Sequence, residues 1–502
     1  MQEIFSAKIV IFDIRNAGDL TVILNTQQAS QYGIRDGDKI SLVRGGEEYI
    51  VDVALSSDYI QANQIGVTRD FLNQCHVEEG DNVLITFTKS NPLSMLAIRK
   101  KMLGHKITKE EVNAIVEDIQ NNKLSDLVLA YYTSTSFFYK SDPQELAYTT
   151  KATAFTGDMY RFPGIVASKY SIGGIPWNET SMIIVPVLAS LGITIPKSFS
   201  KAITSPAATG ECVNVLMDIS FKKADIIRII DKTGACLVRN QGLNLAPAND
   251  RIMKVSSPLG MEPYARMISS IMAKNYAMGI SHCLIEIPVG ATAKVTNMAS
   301  AKRIASHFKS IAKYLGMKVD VEIIRADQPV GRAIGANLQA RDALRILQNH
   351  PDQSEELASK AIFLASKLLV LCGKVPTMRK AEALVRKQLT TGEAWKKMSD
   401  IIRAQNGKNP GIKADDVQLG DVQEEILAPK SALITDIDMS YLNTIVRTLG
   451  APADYTAGIY LHKKVGDKVE KGEVLYTLYS SSKHKLQRAK EMLANLDFYT
   501  YK

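Results

Sequence analysis

The sequence has few cysteines, and none is paired with another at short spacing. Five are spread over 502 residues without a C-x-x-C pair, at Cys75, Cys212, Cys236, Cys283 and Cys372. A disulfide framework and a zinc knuckle are therefore not expected, and the compartment is expected to be reducing. The seven histidines are scattered, none at ligand spacing from a cysteine or an acid, so no metal site is predicted.

Long apolar runs are also lacking. No stretch of 18 apolar residues occurs, and no charged N-terminal segment leads into a shorter apolar one. Neither a membrane-spanning helix nor a secretion signal is expected, and we predict a cytoplasmic protein without a membrane partner. Since 46% of the residues are hydrophobic, the chain can form real cores, and its length predicts about three domains.

The net charge of +9 is distributed unevenly along the chain. Residues 1–89 contain 7 Lys and Arg against 13 Asp and Glu, a net charge of −6, so the remaining 413 residues carry +15. A basic body suits anionic substrates and would also suit nucleic acid. The basic residues are interspersed with acids and lack the interleaved aromatics of a single-strand binding surface. We therefore predict solvated helix faces and no nucleic-acid partner.

The hydrophobic pattern changes several times along the chain. Short β-like runs fill residues 1–88, and helical patterns follow, one of them opened by a capping box of Thr108 and Glu111. From about residue 160 to 350, apolar strand candidates alternate with longer amphipathic segments, which predicts an α/β sheet with crossover helices. The strand candidates are 165–167, 235–238, 282–287 and 319–324.

Two segments have the composition of an anion-binding site. Residues 168–176 read Ser-Lys-Tyr-Ser-Ile-Gly-Gly-Ile-Pro, between an apolar run and a helix pattern that begins near Thr180. Glycines admit a ligand close to backbone N–H groups, a helix N-terminus is partially positive, and the lysine and serine add a cation and a hydroxyl. This predicts a phosphate-binding turn, with a plain tight connection as the alternative. Residues 195–210 are predicted to be a second loop, rich in hydroxyls and lysines.

The predicted sheet also places residues together at one edge. Lys169, Gly290 and Gln328 each follow a strand candidate. Because ligands gather at the carboxyl ends of parallel strands, we expect these three residues at the same edge of the sheet.

Six motifs together resemble one enzyme family. They lie at 168–176, 195–210, 244–248, 270–274, 287–290 with Lys294, and 328–331. In this order they resemble the thymidine phosphorylase family, most closely its longer branch, the AMP (nucleoside monophosphate) phosphorylases. The resemblance covers nearly the whole chain and implies a homodimer or larger homo-oligomer, with inorganic phosphate as co-substrate and no cofactor.

The fold class implied is multidomain α/β with a cleft between a helical domain and an α/β sheet domain. The expected boundaries are 1–88 for a small β-rich N-terminal domain, 89–155 with 247–278 for the helical domain, 156–246 and 279–415 for the α/β phosphate-binding domain, and 416–502 for a C-terminal α+β, lipoyl-like domain.

The resemblance also implies roles for individual residues. Phosphate would be held by Lys169, Ser171, Ser181 and Thr209, the base would be contacted by Ser270 and Lys274, and Glu262 would donate a proton to the departing base. The remaining nucleotide contacts would come from Gly174, Ser200, Lys201, Ala202, Ile203, Thr204, Ser205, Thr209 and Lys294. From the residues alone, turn or cap residues, a polar helix face and an acid at a helix N-terminus explain several of them equally well.

The reaction implied is phosphorolysis of nucleoside 5′-monophosphates (AMP, CMP, UMP) to free base and ribose 1,5-bisphosphate by a pentosyltransferase. Two alternatives stay open: a phosphorylase for thymidine or other pyrimidine nucleosides, and a catalytically attenuated paralogue that binds nucleotide. The second follows from departures from the family pattern. They occur at Tyr170, Trp177, Phe199, Lys201, Glu262 and Asn275.

Overall fold

The protein divides into two compact units. The computed structural model describes residues 3–13, 20–75, 77–88, 92–138, 142–173, 179–199, 206–240, 242–256 and 263–502. One unit is Met1–Thr156 with Ala246–Ser269, and the other is Gly157–Leu245 with Ser270–Lys502. The multidomain α/β fold class is confirmed, while the boundaries of the four predicted domains stay predictions.

The first unit begins with a closed six-stranded barrel. Its elements are β1 (Glu3–Phe12), β2 (Thr21–Asn25), α1 (Thr26–Gln31), β3 (Lys39–Arg44), β4 (Glu47–Ser56), β5 (Gln64–Thr68), α2 (Arg69–Cys75) and β6 (Asn82–Phe87). The strand order is β1-β5-β2-β4-β3-β6, and β6 pairs back with β1, so closure covers both edge strands. Ile9, Val22 and Ile85 are among the apolar side chains that fill its interior.

A group of helices completes the first unit. The first four are α3 (Pro92–Met102), α4 (Lys109–Gln120), α5 (Asp126–Phe138) and α6 (Pro143–Ala154). The predicted capping box is confirmed, because Thr108 Oγ1 accepts from the Glu111 N–H and the Glu111 carboxylate accepts from the Thr108 N–H. The apolar face of α4 is buried at Val112, Ile115 and Ile119, as the helical period requires.

Strands and helices then alternate. The elements are β7 (Ala167–Ser171), α7 (Thr180–Ser190), β8 (Ile195–Phe199), α8 (Thr209–Asn214), α9 (Lys223–Thr233), β9 (Ala235–Arg239), α10 (Pro247–Ser256), α11 (Tyr264–Ala277), β10 (His282–Val289), α12 (Met298–Leu315), β11 (Lys318–Arg325), β12 (Ala333–Ile334), α13 (Ala336–Leu347), α14 (Glu355–Leu371), α15 (Met378–Thr390) and α16 (Glu393–Ala404). Of these, α10 and the first part of α11 belong to the first unit.

The second unit is built on a parallel sheet. Strands β11, β10 and β7 pair in that order, β8 pairs with β9, and a parallel bridge between Val166 and Thr194 joins the two groups. Helices α7 and α14 share one apolar core with the sheet, in which Ile184 and Leu364 are fully buried. All strands that meet here therefore direct their carboxyl ends the same way.

Two sequence predictions about this sheet are wrong. Strand β7 runs over Ala167–Ser171 rather than 165–167, so Lys169 and Ser171 are strand residues and not turn residues. Residues 195–199 form strand β8 rather than a loop. In both places the pairing with a neighbouring strand outweighs the polar composition, because β-propensity depends on the tertiary surroundings.

The last part of the second unit is an α+β fold. Its elements are β13 (Val422–Leu427), β14 (Ala432–Ile437), α17 (Met439–Leu449), β15 (Gly458–Leu461), β16 (Lys468–Val469), β17 (Val474–Ser480), α18 (Lys483–Asn495) and β18 (Tyr499–Tyr501). Strand β12 pairs with β15 in a sheet ordered β12-β15-β17-β13, and a second sheet is ordered β16-β14-β18. A Cβ at Gly458 would lie 2.1 Å from the Ile334 carbonyl oxygen, so this pairing requires glycine.

Within the described residues, no helix combines the length and the hydropathy needed to cross a lipid bilayer.

Candidate active site

A buried ion pair connects two neighbouring strands of the parallel sheet. Lys169 of β7 is 3% exposed, and its Nζ lies 2.5 Å from Oε2 of Glu286 on β10, which is fully buried. The same Nζ donates to Thr180 Oγ1 at 3.1 Å, at the first residue of α7. Among the described residues, these contacts use two of the three N–H donors of Lys169.

A second lysine shares the same carboxylate. Lys360 Nζ lies 2.5 Å from the other oxygen of Glu286, and its side chain is 9% exposed. Burial opposes ionisation of Glu286, but the two ammonium groups outweigh burial and lower its pKa to about 2. Glu286 is therefore ionised at neutral pH.

The other acid near Lys169 carries little charge at neutral pH. Glu179 precedes α7 and is buried, and burial reinforced by the neighbouring Asp342 raises its pKa to about 8. Its carboxyl group accepts a hydrogen bond from the Gln339 side-chain amide. Two lysines, Lys169 and Lys360, thus share one ionised carboxylate, Glu286, and Lys169 lies beside the partially positive N-terminus of α7.

Strand β8 contributes a third buried lysine that the sequence analysis did not select. Lys197 is 5% exposed, and its Nζ lies 4.5 Å from the centre of the Tyr170 ring. Burial, together with the positive charge of Lys169, lowers its pKa to about 7. Tyr170, which departs from the histidine of the family pattern, therefore supplies a cation–π contact here.

Several predicted residues lie where the strands end. Ser171 is the last residue of β7, and its Oγ accepts from the Gly173 N–H at 3.4 Å. The loop after β10 brings Lys294 close, since a Cβ at Gly173 would lie 3.9 Å from Lys294 Cε. Gly290 directly follows β10, where a Cβ would lie 2.4 Å from the Ala326 carbonyl oxygen. This edge thus gathers a hydroxyl and an exposed lysine.

The other two residues expected at this edge are held in different ways. Lys169 lies within β7 instead of after it. Gln328 follows β11, but its Oε1 accepts from the Val465 N–H at 3.0 Å, in the last part of the chain. Gln328 is thus held by a contact with another part of the fold.

The remaining phosphate-binding candidates begin two helices. Ser181 is the second residue of α7 and is buried next to Thr180, whose hydroxyl binds Lys169. Thr209 is the first residue of α8 and is half-buried. The ring of Phe199 packs against the next residue, because a Cβ at Gly210 would lie 3.2 Å from it.

The two base-contacting candidates share one helix. Ser270 and Lys274 are half-buried and four residues apart on α11, hence on one face. The next residue, Asn275, donates its side-chain amide to the Ile271 carbonyl oxygen at 2.8 Å. The side chain of Asn275, where the family pattern has lysine, therefore hydrogen-bonds a backbone carbonyl of its own helix.

Other predicted site residues lie outside the described residues, so their roles stay predictions. They are Gly174, Ser200, Lys201, Ala202, Ile203, Thr204, Ser205 and the predicted proton donor Glu262. Over the part of the chain that is described, no group of three His, Cys, Asp or Glu side chains is placed to hold a metal ion.

Comparisons with known proteins define the class. The glycosyl transferase family, a/b domain, matches residues 166–395, and the pyrimidine nucleoside phosphorylase C-terminal domain matches residues 433–497. Anthranilate phosphoribosyltransferase from Thermus thermophilus shares the fold, with a TM-score of 0.53 and 16% identity over 62% of this chain and 99% of that chain. Residues 166–395 thus form a glycosyl transferase a/b domain.

Full-length relatives identify the branch. AMP phosphorylase of Pyrococcus furiosus is 39% identical over 96% of this chain and 95% of its own length. AMP phosphorylase of Thermofilum pendens is 37% identical over 94% of this chain and 91% of its own length. The chain belongs to the AMP phosphorylase branch of the thymidine phosphorylase family. The predicted family and enzyme class, a pentosyltransferase, are confirmed.

Proposed function

We propose that the protein catalyses phosphorolysis of nucleoside 5′-monophosphates, namely AMP, CMP and UMP, in nucleotide salvage. An oxygen of inorganic phosphate attacks C1′ of the ribose, the glycosidic C–N bond breaks, and the base leaves with a proton. The products are the free base and ribose 1,5-bisphosphate. Inorganic phosphate is the co-substrate, and no cofactor is proposed.

The observation that carries this proposal is the pair of lysines, Lys169 and Lys360, that shares the carboxylate of Glu286, with Lys169 bonded to the first residue of α7. A phosphate dianion needs both charge compensation and hydrogen-bond donors in a site that excludes water. Lys169 offers the charge and a remaining N–H, while the hydroxyls of Ser171, Ser181 and Thr209 are the proposed additional partners. Aligning phosphate with the ribose in this way can contribute several kcal/mol, up to about 7–11 in well-ordered cases.

The other proposed roles concern the nucleotide. Ser270 and Lys274 would bind the base, and Lys294, together with Gly174 and residues 200–205, would bind the remainder of the nucleotide. Glu262 would donate the proton to the leaving base, for which a general acid typically contributes about 10²- to 10⁴-fold in rate. The position of Lys294 beside Gly173 supports its part in this assignment.

Base release tests the function. AMP, CMP, UMP, thymidine and uridine are each incubated with and without inorganic phosphate, and the free base is measured by chromatography. We expect phosphate-dependent release from the monophosphates. Release from thymidine or uridine alone would instead establish a pyrimidine nucleoside phosphorylase, the second candidate, which the match to the pyrimidine nucleoside phosphorylase C-terminal domain favours. Nucleotide binding without release would establish the attenuated paralogue.

We propose a homo-oligomer assembled through the helices of the first unit. Leu96 on α3 and Leu127, Tyr131 and Phe138 on α5 are exposed apolar side chains. Helices α3 and α5 pack together, and exposed apolar side chains on neighbouring helices can form an association surface. The five cysteines are buried free thiols, which suits the proposed cytoplasmic location.

Replacing Leu127 by glutamate is expected to convert the oligomer to monomer in sedimentation equilibrium, since a charge would then be buried at the interface. The matched control is Leu427→Glu, which alters an exposed leucine on β13 of the second unit and should leave the mass unchanged. A Leu127→Glu variant with the wild-type mass would contradict this surface assignment.

A further inference from the structure

The proposed reaction does not yet explain the position of Lys360. It lies in α14 beside buried Ala361 and Leu364, and its side chain is nearly inaccessible. Taking a lysine out of water costs free energy, so its retention in this apolar segment requires a compensating contact. Its ammonium meets that requirement through Glu286 Oε1 at 2.5 Å.

The contact with Lys360 changes how far Glu286 neutralises the charge of Lys169. A carboxylate paired with one ammonium forms a neutral pair, and a neutral pair attracts a phosphate dianion weakly. A carboxylate shared between two ammonium groups leaves one positive charge in the cluster. Lys169 lies closer to the predicted phosphate site than Lys360, because it lies on the strand that ends at Ser171 and binds the first residue of α7.

We propose that Lys360 is a positioning residue for phosphate: by occupying one oxygen of Glu286, it fixes the carboxylate and offsets its negative charge, so that Glu286 does not cancel the attraction of Lys169 for the anion. Lys360 itself does not touch phosphate. This inference rests on the proposed role of Lys169 in phosphate binding and adds the residue that controls it.

A merely structural role for Lys360 makes a different prediction. If Lys360 only compensated the buried Glu286, its loss would reduce stability and affect all substrates alike. If it sets the charge available to phosphate, its loss weakens phosphate binding selectively and leaves nucleotide binding nearly unchanged. Burial lowers the pKa of Lys169, Glu286 raises it in part, and the charge of Lys360 lowers it again. An arriving phosphate dianion would favour the protonated form of Lys169.

The experiment compares Lys360→Met, Lys360→Gln and Lys360→Arg with the wild type. We expect KM for inorganic phosphate to rise tenfold or more in the methionine and glutamine variants, with KM for AMP within about twofold, and to recover in the arginine variant. Glutamine can still donate a hydrogen bond to Glu286 without charge, so it separates charge from packing if the methionine variant is unstable.

The matched control is Lys367→Met. Lys367 lies two turns further along α14 and forms ion pairs with Asp320 and Glu322 on β11. The Lys367→Met substitution is expected to change neither the KM for inorganic phosphate nor the KM for AMP. Equal increases of both KM values in the Lys360 variants, or no change in either, would overturn the positioning role.

Calorimetric titration with inorganic phosphate separates this inference from the proposed function. Weaker phosphate binding in Lys360→Gln than in the wild type supports the positioning role even if no base is released from AMP. Equal phosphate affinity in the two proteins, or no affinity in the wild type, overturns it, whereas phosphate-dependent turnover by the wild type would still establish the phosphorylase.

Discussion

Replacement of Lys169 by methionine is expected to lower kcat/KM for phosphate by about 10²- to 10³-fold, the usual cost of removing one preorganised donor from a charged transition state. Methionine keeps much of the side-chain volume but cannot offer the third N–H or the positive charge. Initial rates of base release at varied phosphate concentration measure the effect.

The stability of this variant distinguishes catalysis from folding. Breaking a buried pair by removing one partner costs about 3–5 kcal/mol when the remaining charge is orphaned. In Lys169→Met, Glu286 still has Lys360 at 2.5 Å, so the loss of unfolding free energy should be smaller than that. Urea denaturation tests this expectation and shows whether the rate was measured on folded protein.

Lys223→Met serves as the control for Lys169→Met. Lys223 forms an ion pair with Asp158 at 2.9 Å in the same unit, but both side chains are more than one third exposed. Exposed pairs contribute about 0–1 kcal/mol, so rate and stability should stay near the wild type. If Lys169→Met kept the wild-type rate, Lys169 would be only a structural counter-ion of Glu286.

The fold was largely readable from the sequence because its elements carry strong local signals. The capping box at Thr108 and the apolar segments of β9, β10 and β11 give the correct element type with boundaries within about two residues. Residues 195–199 were misread because Lys197 and Ser198 suggest a loop. The strand exists because a partner strand, distant in sequence, supplies its hydrogen bonds.

Only part of the candidate site could be predicted from the sequence. Lys169 and Ser171 were found through the glycine-containing segment that follows them, a local pattern. Glu286, Lys360 and Lys197 were missed. Glu286 is a charge within an otherwise apolar run, and a buried charge requires a partner. That signal could have selected Glu286, but not its pairing, since residues 169, 286 and 360 meet only in the folded sheet and helix.

Replacing Glu286 by glutamine is expected to produce the largest loss of stability. Lys169 and Lys360 would remain buried without their shared carboxylate, and an orphaned buried charge costs about 3–5 kcal/mol. The free energy of unfolding from urea titration at pH 7 measures this loss.

The pH dependence of stability tests the role of Glu286 independently. The pKa of Glu286 is about 2 in the folded protein against an ordinary 4.5, so its contribution is fully present above pH 4.5 and is lost as the pH falls towards 2. The difference in unfolding free energy between wild type and Glu286→Gln should therefore narrow as the pH falls below 4.5. A difference that widened below pH 4.5 would contradict a carboxylate stabilised by two ammonium groups.

Glu322→Gln tests whether burial is what makes Glu286 important. Glu322 is the register partner of Glu286 on β11 and pairs with Lys367, but both side chains of that pair are about one quarter exposed. Water can solvate Lys367 when Glu322 is lost, whereas Lys169 and Lys360 have almost no access to water. We expect a loss of about 1 kcal/mol or less for Glu322→Gln. Equal losses in the two variants would mean that the shared carboxylate is no more important than an ordinary ion pair on the neighbouring strand, and the charge argument for the phosphate site would fail with it.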